Sequence, residues 1–318
     1  MTDMRFVPLG DSGLLVSAVG LGCNAFGSRI DAEQTQSVID AALDHGITFF
    51  DTADSYGDGA SEELLGRSLG PRRDDVVLAT KFGMGKDVGE PGVAHGSRRY
   101  VRRAVEASLR RLNTDYLDLY QLHRPDPVTP MEETLQALSE LVAEGKVRYI
   151  GSSNLAAWQV TDANWLARTS GTQRFISAQN EYSLYNRAAE RELVPACEAA
   201  GVGILPYFPL AYGLLTGKYH RGEAAPEGTR LAAPNQASRL ARAHWDRIEA
   251  LQEFAEARDI SLLELAISGL AAQPTVASVI CGATRPDQIA ANVRALRWQP
   301  TDEELDALDD LARTPAFS

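Results

Sequence analysis

Short apolar runs alternate along the chain with longer stretches of helical period. Strand-like runs fall at 18–21, 48–50, 76–79, 117–122, 147–150, 175–178, 203–207 and 278–280. Between them, helical patterns occupy 32–45, 61–69, 98–112, 131–144, 155–168, 188–200, 262–272 and 286–296. Val101, Val105, Leu109 and Leu112 form one helical stripe; Met131, Leu135, Leu138 and Val142 form another, which stops at Gly145. Asp31 with Gln34 predicts a capping box at the first helix. Ahead of the alternation, apolar stretches at 6–9 and 14–19 flank Asp11-Ser12-Gly13 and predict a small hairpin.

Strands that alternate with helices form right-handed βαβ units on a parallel sheet. Eight such repeats favour a closed (β/α)8 TIM barrel with an N-terminal β-hairpin and long loops on its C-terminal face. No Pro/Gly/Ser linker divides the chain, so residues 1–318 read as one barrel domain. Two connections are long. The 208–244 segment is rich in Ala, Pro and Gly. The 83–97 segment carries Gly83, Gly85, Gly89, Gly92 and Gly96, the composition of a mobile cover over a bound substrate.

Charge and cysteine content narrow the partners. The net charge of −12 disfavours nucleic acid and anionic membrane surfaces. Cys23, Cys197 and Cys281 are isolated, and the five histidines form no ligand-spaced pair, so neither a disulfide framework nor a metal site is expected. With no apolar h-region near the N-terminus, the expectation is a cytoplasmic protein. The uncharged run 265–284 contains Gly269 and Pro274 and reads as helix, turn and strand.

In a parallel barrel, chemistry collects where the strands end. Asp51 follows the second apolar run, Lys81 the third and His123 the fourth. Tyr56 follows Asp51 on a loop punctuated by Gly57 and Gly59. A phenol is a poor acid near neutrality, and an adjacent ammonium lowers its pKa. Lys81, held charged by Asp51, is therefore expected to tune Tyr56 for proton donation to a carbonyl, with His123 hydrogen-bonding the carbonyl oxygen.

These four residues, in this order, resemble the catalytic set of the aldo-keto reductases, in particular bacterial-type members related to potassium-channel beta subunits. Supporting stretches are GSSN at 151–154, QNEYSLYNR at 179–187, YFPLAYGLLTGK at 207–218 and GATRPDQIAAN at 282–292. The resemblance covers nearly the whole chain. It implies an extended nicotinamide dinucleotide across the barrel mouth, without a Rossmann domain. Consistent with that, Gly20, Gly22 and Gly27 do not form the GxGxxG fingerprint.

By the resemblance, Tyr56 matches the general acid, Lys81 and Asp51 the pair that tunes it, and His123 the carbonyl-orienting residue. Ser153, Asn154 and Gln179 match the nicotinamide carboxamide contacts, and Tyr207 the ring that stacks on the nicotinamide. Leu210 and Gly213 fall in the pyrophosphate loop. Gly282, Thr284, Gln288 and Asn292 match the adenosine strip, and Gly22 and Cys23 lie on the cofactor side of the mouth. Asn24, Phe26, Phe82 and Arg124 are expected to line the substrate pocket. Arg124 hints at an anionic or polar substrate group. Arg285 is the nearest cation for a 2′-phosphate, so NADP(H) is expected over NAD(H). Phe208 replaces a frequent Ser, and Ala291 a frequent Glu, each removing one cofactor contact.

The expected activity is reduction of an aldehyde or ketone, with a redox-sensing regulatory subunit on the same scaffold as the alternative. A Schiff-base aldolase using Lys81 is disfavoured by Asp51, and a metal hydrolase by the scattered ligands. The arginines at 98, 99, 102, 103, 110 and 111 read as a solvated helix face, and Trp158, Trp165 and Trp245 as packing residues. Glu181 reads as a loop-ordering acceptor.

Overall fold

The computed structural model describes residues 4–84 and 93–314; of the glycines in the expected cover, Gly85, Gly89 and Gly92 lie outside the described residues. Strands β1 (Phe6–Pro8) and β2 (Leu15–Ser17) form the antiparallel hairpin. The alternating part runs β3 (Val19–Gly22), α1 (Ala32–Asp44), β4 (Phe49–Asp51), α2 (Ala60–Leu69), β5 (Val77–Phe82), α3 (Arg98–Leu112) and β6 (Leu117–Leu122). It continues with α4 (Met131–Ala143), β7 (Val147–Ser153), α5 (Ala157–Ser170), β8 (Phe175–Glu181), α6 (Leu193–Ala200) and β9 (Gly203–Tyr207). The last part holds α7 (Ala237–Ala241), α8 (Trp245–Glu256), α9 (Leu262–Ala271), β10 (Val279–Gly282), α10 (Pro286–Arg294) and α11 (Asp302–Ala312).

Strands β3 to β10 form one parallel sheet in the order β10-β3-β4-β5-β6-β7-β8-β9. The two ends meet just before β10: Ile204 N donates to Thr275 O at 2.7 Å, and Ala277 N to Ile204 O at 3.0 Å. The architecture is thus a (β/α)8 barrel. At the start of α1, Asp31 and Gln34 make the expected reciprocal cap.

Side-chain alternation along each strand divides the core into two shells. Phe49, Ala79, Leu119, Leu205 and Ile280 fill the barrel interior, and Leu9, Leu14 and Val16 of the hairpin join them. The hairpin therefore plugs the N-terminal end. Phe50, Phe82, Tyr120, Leu122 and Ile150 point the other way, into the layer shared with the helices. Two residues further along the inward row, apolar gives way to polar: Phe49 to Asp51, Ala79 to Lys81, and Leu119 to Gln121 and His123. Among the described residues no helix is long and apolar enough to cross a membrane.

Three helices fall where the sequence pattern assigned none. α8 buries Ile248, Leu251 and Ala255, α11 buries Leu308, and α7 is one short turn inside the long connection. Two of the tryptophans also differ from expectation. Trp158 and Trp165 are 69% and 61% exposed, because α5 turns Val160, Ala163 and Ala167 inward and carries the two indoles, seven residues apart, on its outer face. Trp245 does pack against the core.

Candidate active site

Strand β4 ends at Asp51, and β5 presents Lys81 from the same inward row. The Lys81 ammonium uses all three of its protons: to Asp51 Oδ2 at 2.6 Å, to Thr52 O at 2.9 Å and to Tyr56 Oη at 3.2 Å. The other carboxylate oxygen of Asp51 accepts from Gln121 Nε2 at 3.1 Å and Gln179 Nε2 at 3.0 Å. Lys81 is fully buried and Asp51 nearly so. Burial alone would favour neutral Lys81, but the attraction of Asp51 and the hydrogen bonds oppose it, and its pKa stays above the ordinary lysine value.

Tyr56 occupies a 3-10 turn, Tyr56–Gly59, between β4 and α2, and remains half-buried. Contrary to the expectation that Lys81 would depress it, its pKa is raised: desolvation of the phenolate comes first and outweighs the pull of Lys81, and Asp51 adds to the rise. Tyr56 is therefore a protonated hydroxyl at neutral pH, with an ammonium already in contact with its oxygen.

His123 stands across from Tyr56, the two rings edge-on at 5.9 Å. Burial first, then the positive charges of Lys81 and Arg124, push its pKa down to about 3, so the imidazole is neutral around neutral pH. A neutral imidazole can donate a hydrogen bond to a carbonyl oxygen but is not the proton source.

Beside His123, Asn154 Nδ2 donates to His123 O at 3.0 Å and to Ser153 Oγ at 3.0 Å, and Tyr207 Oη donates to Asn154 Oδ1 at 2.8 Å. Ser153 Oγ in turn donates to Gln179 O at 2.9 Å. Asn154 adopts a left-handed backbone, φ 60°, where β7 leaves the sheet. Asp51, Tyr56, Lys81, His123, Ser153, Asn154, Gln179 and Tyr207 thus form one connected cluster. Gln121, in the same cluster, was missed by sequence reasoning. It follows Leu119 on the inward row of β6, and that break in an apolar row was the available signal.

Gly22 and Gly282 face each other across β3 and β10. Beyond them, the backbone N–H and the hydroxyl of Thr284 both donate to Gln288 Oε1, and Asn292 is buried on α10. Arg285, expected to be available to a phosphate, is held by Asp287 through two hydrogen bonds of 2.9 Å. Among the described residues Arg29 and Arg230 make no ion pair, and burial lowers the pKa of each. Arg29 donates to Asn24 Oδ1 at 3.3 Å. Arg230 lies over the rings of Phe208 and Tyr212, at 5.2 and 5.0 Å from their centres. Those rings belong to the turn after β9 that contains Leu210 and Gly213, where Phe208, Ala211 and Tyr212 all have positive φ. The sequence gives no sign of these two cations, because neither ends an apolar run: Arg29 comes from the connection between β3 and α1 and Arg230 from the long one after β9.

The expected substrate lining is partly displaced. Phe26 and Phe82 have no exposed surface, and neither has Cys23, expected on the cofactor side. Since Lys81 faces inward, Phe82 must face outward, where its ring packs 4.7 Å from that of Tyr120. Arg124 is exposed at the mouth and makes no ion pair among the described residues. Glu181 accepts from Asn186 Nδ2 at 3.4 Å, as a loop-ordering residue would.

Comparison with known proteins gives consistent findings. The model of the aldo/keto reductase family matches residues 18–313. A probable voltage-gated potassium channel subunit beta from Arabidopsis thaliana is 37% identical over 92% of this chain and 91% of its own. Versiconal hemiacetal acetate reductase from Aspergillus parasiticus is 34% identical over 96% of each chain. The uncharacterized oxidoreductase YrpG from Bacillus subtilis is 34% identical over 98% of this chain and 97% of its own.

Proposed function

Since the chain belongs to the aldo/keto reductase family, we propose that it reduces an aldehyde or ketone to the alcohol at the Asp51–Lys81–Tyr56–His123 cluster, with a nicotinamide dinucleotide, NADP(H) in preference to NAD(H). The observation that carries this reading is the 3.2 Å contact between the Lys81 ammonium and the Tyr56 hydroxyl, with Asp51 behind it at 2.6 Å.

The donor set suits the cofactor. Ser153, Asn154 and Gln179 offer hydroxyl and amide groups for a carboxamide, Tyr207 an aromatic face, and Arg29 and Arg230 two guanidiniums for phosphates. When bound, the cofactor supplies the hydride that reaches the carbonyl carbon. The side chains do the rest. Neutral His123 donates a hydrogen bond that holds the carbonyl oxygen. Tyr56 transfers its hydroxyl proton to that oxygen as negative charge develops there. Lys81 then faces a phenolate and stabilises it without moving, since its contact with Oη is already made. Asp51, fixed by two glutamines, keeps Lys81 charged. Arg124, exposed and next to His123, favours a substrate bearing an anionic or strongly polar group.

The test is fluorescence titration with NADPH and NADH in parallel, followed by turnover of a carbonyl panel by the wild type and Tyr56→Phe. Saturable binding by both proteins, with turnover only in the wild type, supports the mechanism. Equal turnover in Tyr56→Phe overturns it. A second reading draws on the relatives named as potassium channel beta subunits: a redox sensor, for which nucleotide binding without turnover on any carbonyl would speak.

A further inference from the structure

Tyr56 is carried by a turn of unusual backbone shape. The turn that carries it contains three consecutive residues in the left-handed region, Gly57 (φ 60°), Asp58 (φ 53°) and Gly59 (φ 97°). Ala60 N closes the turn by donating to Tyr56 O and Gly57 O, while the bonds at its entry are long, Tyr56 N to Ala53 O at 3.2 Å and Asp58 N to Ser55 O at 3.4 Å. The position of the phenol is set in part by what holds the two ends of the turn. The upstream end is pinned to β5, by Thr52 N to Ala79 O at 2.9 Å and Asp54 N to Lys81 O at 3.1 Å. The downstream end is the first turn of α2.

That first turn carries Glu62, a carboxylate with no exposed surface. Glu62 Oε1 accepts from Thr80 Oγ1 at 2.5 Å, and Thr80 is the residue before Lys81 on β5. Glu62 Oε2 accepts from Arg111 Nε at 2.7 Å. Arg111 comes from the end of α3, beneath the turn: a Cβ on Gly59 would stand 2.9 Å from Arg111 Cδ, so only glycine lets the arginine pass. α2 and α3 are themselves in backbone contact there, since a Cβ on Gly66 would stand 2.3 Å from Leu112 O. Arg111 is thus not part of the solvated basic face that the sequence suggests. Its side chain is 11% exposed, whereas Arg98 and Arg102 of the same helix pair with Glu140 at the surface.

We infer that the buried Arg111–Glu62–Thr80 link is a positioning device for the reaction proposed above: it ties the turn bearing Tyr56 to the strand bearing Lys81 and so sets the distance between the phenol oxygen and the ammonium. Glu62 and Arg111 touch neither reacting atom. They act through the turn and are positioning residues. The inference rests on the proposed reductase chemistry for its consequence in rate, but its geometric content is independent of that chemistry.

The test uses the full-length protein. Glu62→Gln keeps the shape and removes the charge. Because removing one member strands a buried charge, the double variant Glu62→Gln/Arg111→Met is made beside it, and near-ultraviolet circular dichroism checks the fold of each. Two readouts follow. One is the titration of Tyr56 itself, taken as the difference in phenolate absorbance between each protein and its Tyr56→Phe counterpart. The other is kcat for carbonyl reduction against the Kd for the nucleotide. The expected result is a displaced Tyr56 titration and a kcat lower by on the order of 10²-fold, the loss for a displacement of about 1 Å, with the nucleotide Kd unchanged. A folded double variant in which Tyr56 titrates as in the wild type overturns the inference, whatever its activity. If the wild type reduces no carbonyl, the reductase reading fails while the phenolate titration still decides the positioning role.

Discussion

The two ends of the barrel interior are built from the same strands by the same alternation, yet they do opposite work. At the N-terminal end, Phe49, Ala79, Leu119 and Leu205 meet the hairpin residues Leu9, Leu14 and Val16 in a dry core. Two residues further along, Asp51, Lys81, Gln121 and His123 replace them with a buried polar layer. Such a layer is tolerable only because its charged members are satisfied: each Asp51 oxygen and each Lys81 proton has a partner. The lower layer gains its stability from burial. The upper one spends part of that stability on a fixed arrangement of charge.

Mutations at the two ends should separate these roles. The largest effect is expected at the top. Tyr56→Phe should lower kcat by about 10²–10⁴-fold, the range of a general acid, while Tm and nucleotide Kd hold; steady-state kinetics with calorimetry check this. At the bottom, Phe49→Ala should destabilise the fold by about 3–5 kcal/mol in urea titration, with the folded fraction turning over normally. Should Phe49→Ala abolish kcat in conditions where it is fully folded, the division between the layers is wrong.

The pH dependence sharpens the comparison. The proposed mechanism requires protonated Tyr56 and charged Lys81, and both pKa values are raised above their ordinary values. Reductive kcat should therefore be flat through neutrality and fall only as pH rises past the ordinary tyrosine and lysine range. The stability contributed by the raised Lys81 is complete below its unfolded pKa and is lost in the same alkaline direction. With the pKa of His123 at about 3, no limb is expected near the usual histidine value. A limb there in kcat would show that His123 supplies the proton. The smallest effect concerns the cofactor's phosphates. Arg230→Ala should weaken NADPH binding about 10-fold, the loss of one charge-assisted contact, and Arg285→Ala far less, because Asp287 already holds that side chain. The reverse order in paired titrations would return the phosphate role to Arg285.

Much of the fold and part of the site are legible in the amino-acid sequence alone. Eight apolar runs match eight barrel strands because a parallel sheet buries both faces, so its strands stand out as continuous apolar segments. Asp51, Lys81 and His123 are visible because each ends such a run. What escapes depends on the third dimension. Phe82 lies next to Lys81 in sequence but on the opposite side of the sheet. Arg111 looks like its neighbours on a basic helix, and the buried Glu62 and the space beside Gly59 that take it inside come from a different helix and turn. Arg29 and Arg230 converge from segments some two hundred residues apart. α8 and α11 lie outside the strand–helix rhythm, which is the signal a periodicity argument follows. The rise in the Tyr56 pKa escapes for a related reason: the pull of Lys81 can be guessed from spacing, but the cost of burial cannot.

The closure of the barrel has a consequence for synthesis. Strand β3 is bonded on one side to β4 and on the other to β10, and Val19 pairs with Val279. At about 5–20 residues per second, the ribosome delivers that second partner about 13–50 s after the first strand emerges. Through that interval an apolar strand edge is exposed to neighbouring nascent chains. The hairpin waits as well, since Asp11 N bonds to Gly201 O and Arg174 to Asp11 O. A sheet begun at β3 can close only once β10 has been made, so slower elongation anywhere between the two strands should raise the demand for chaperones.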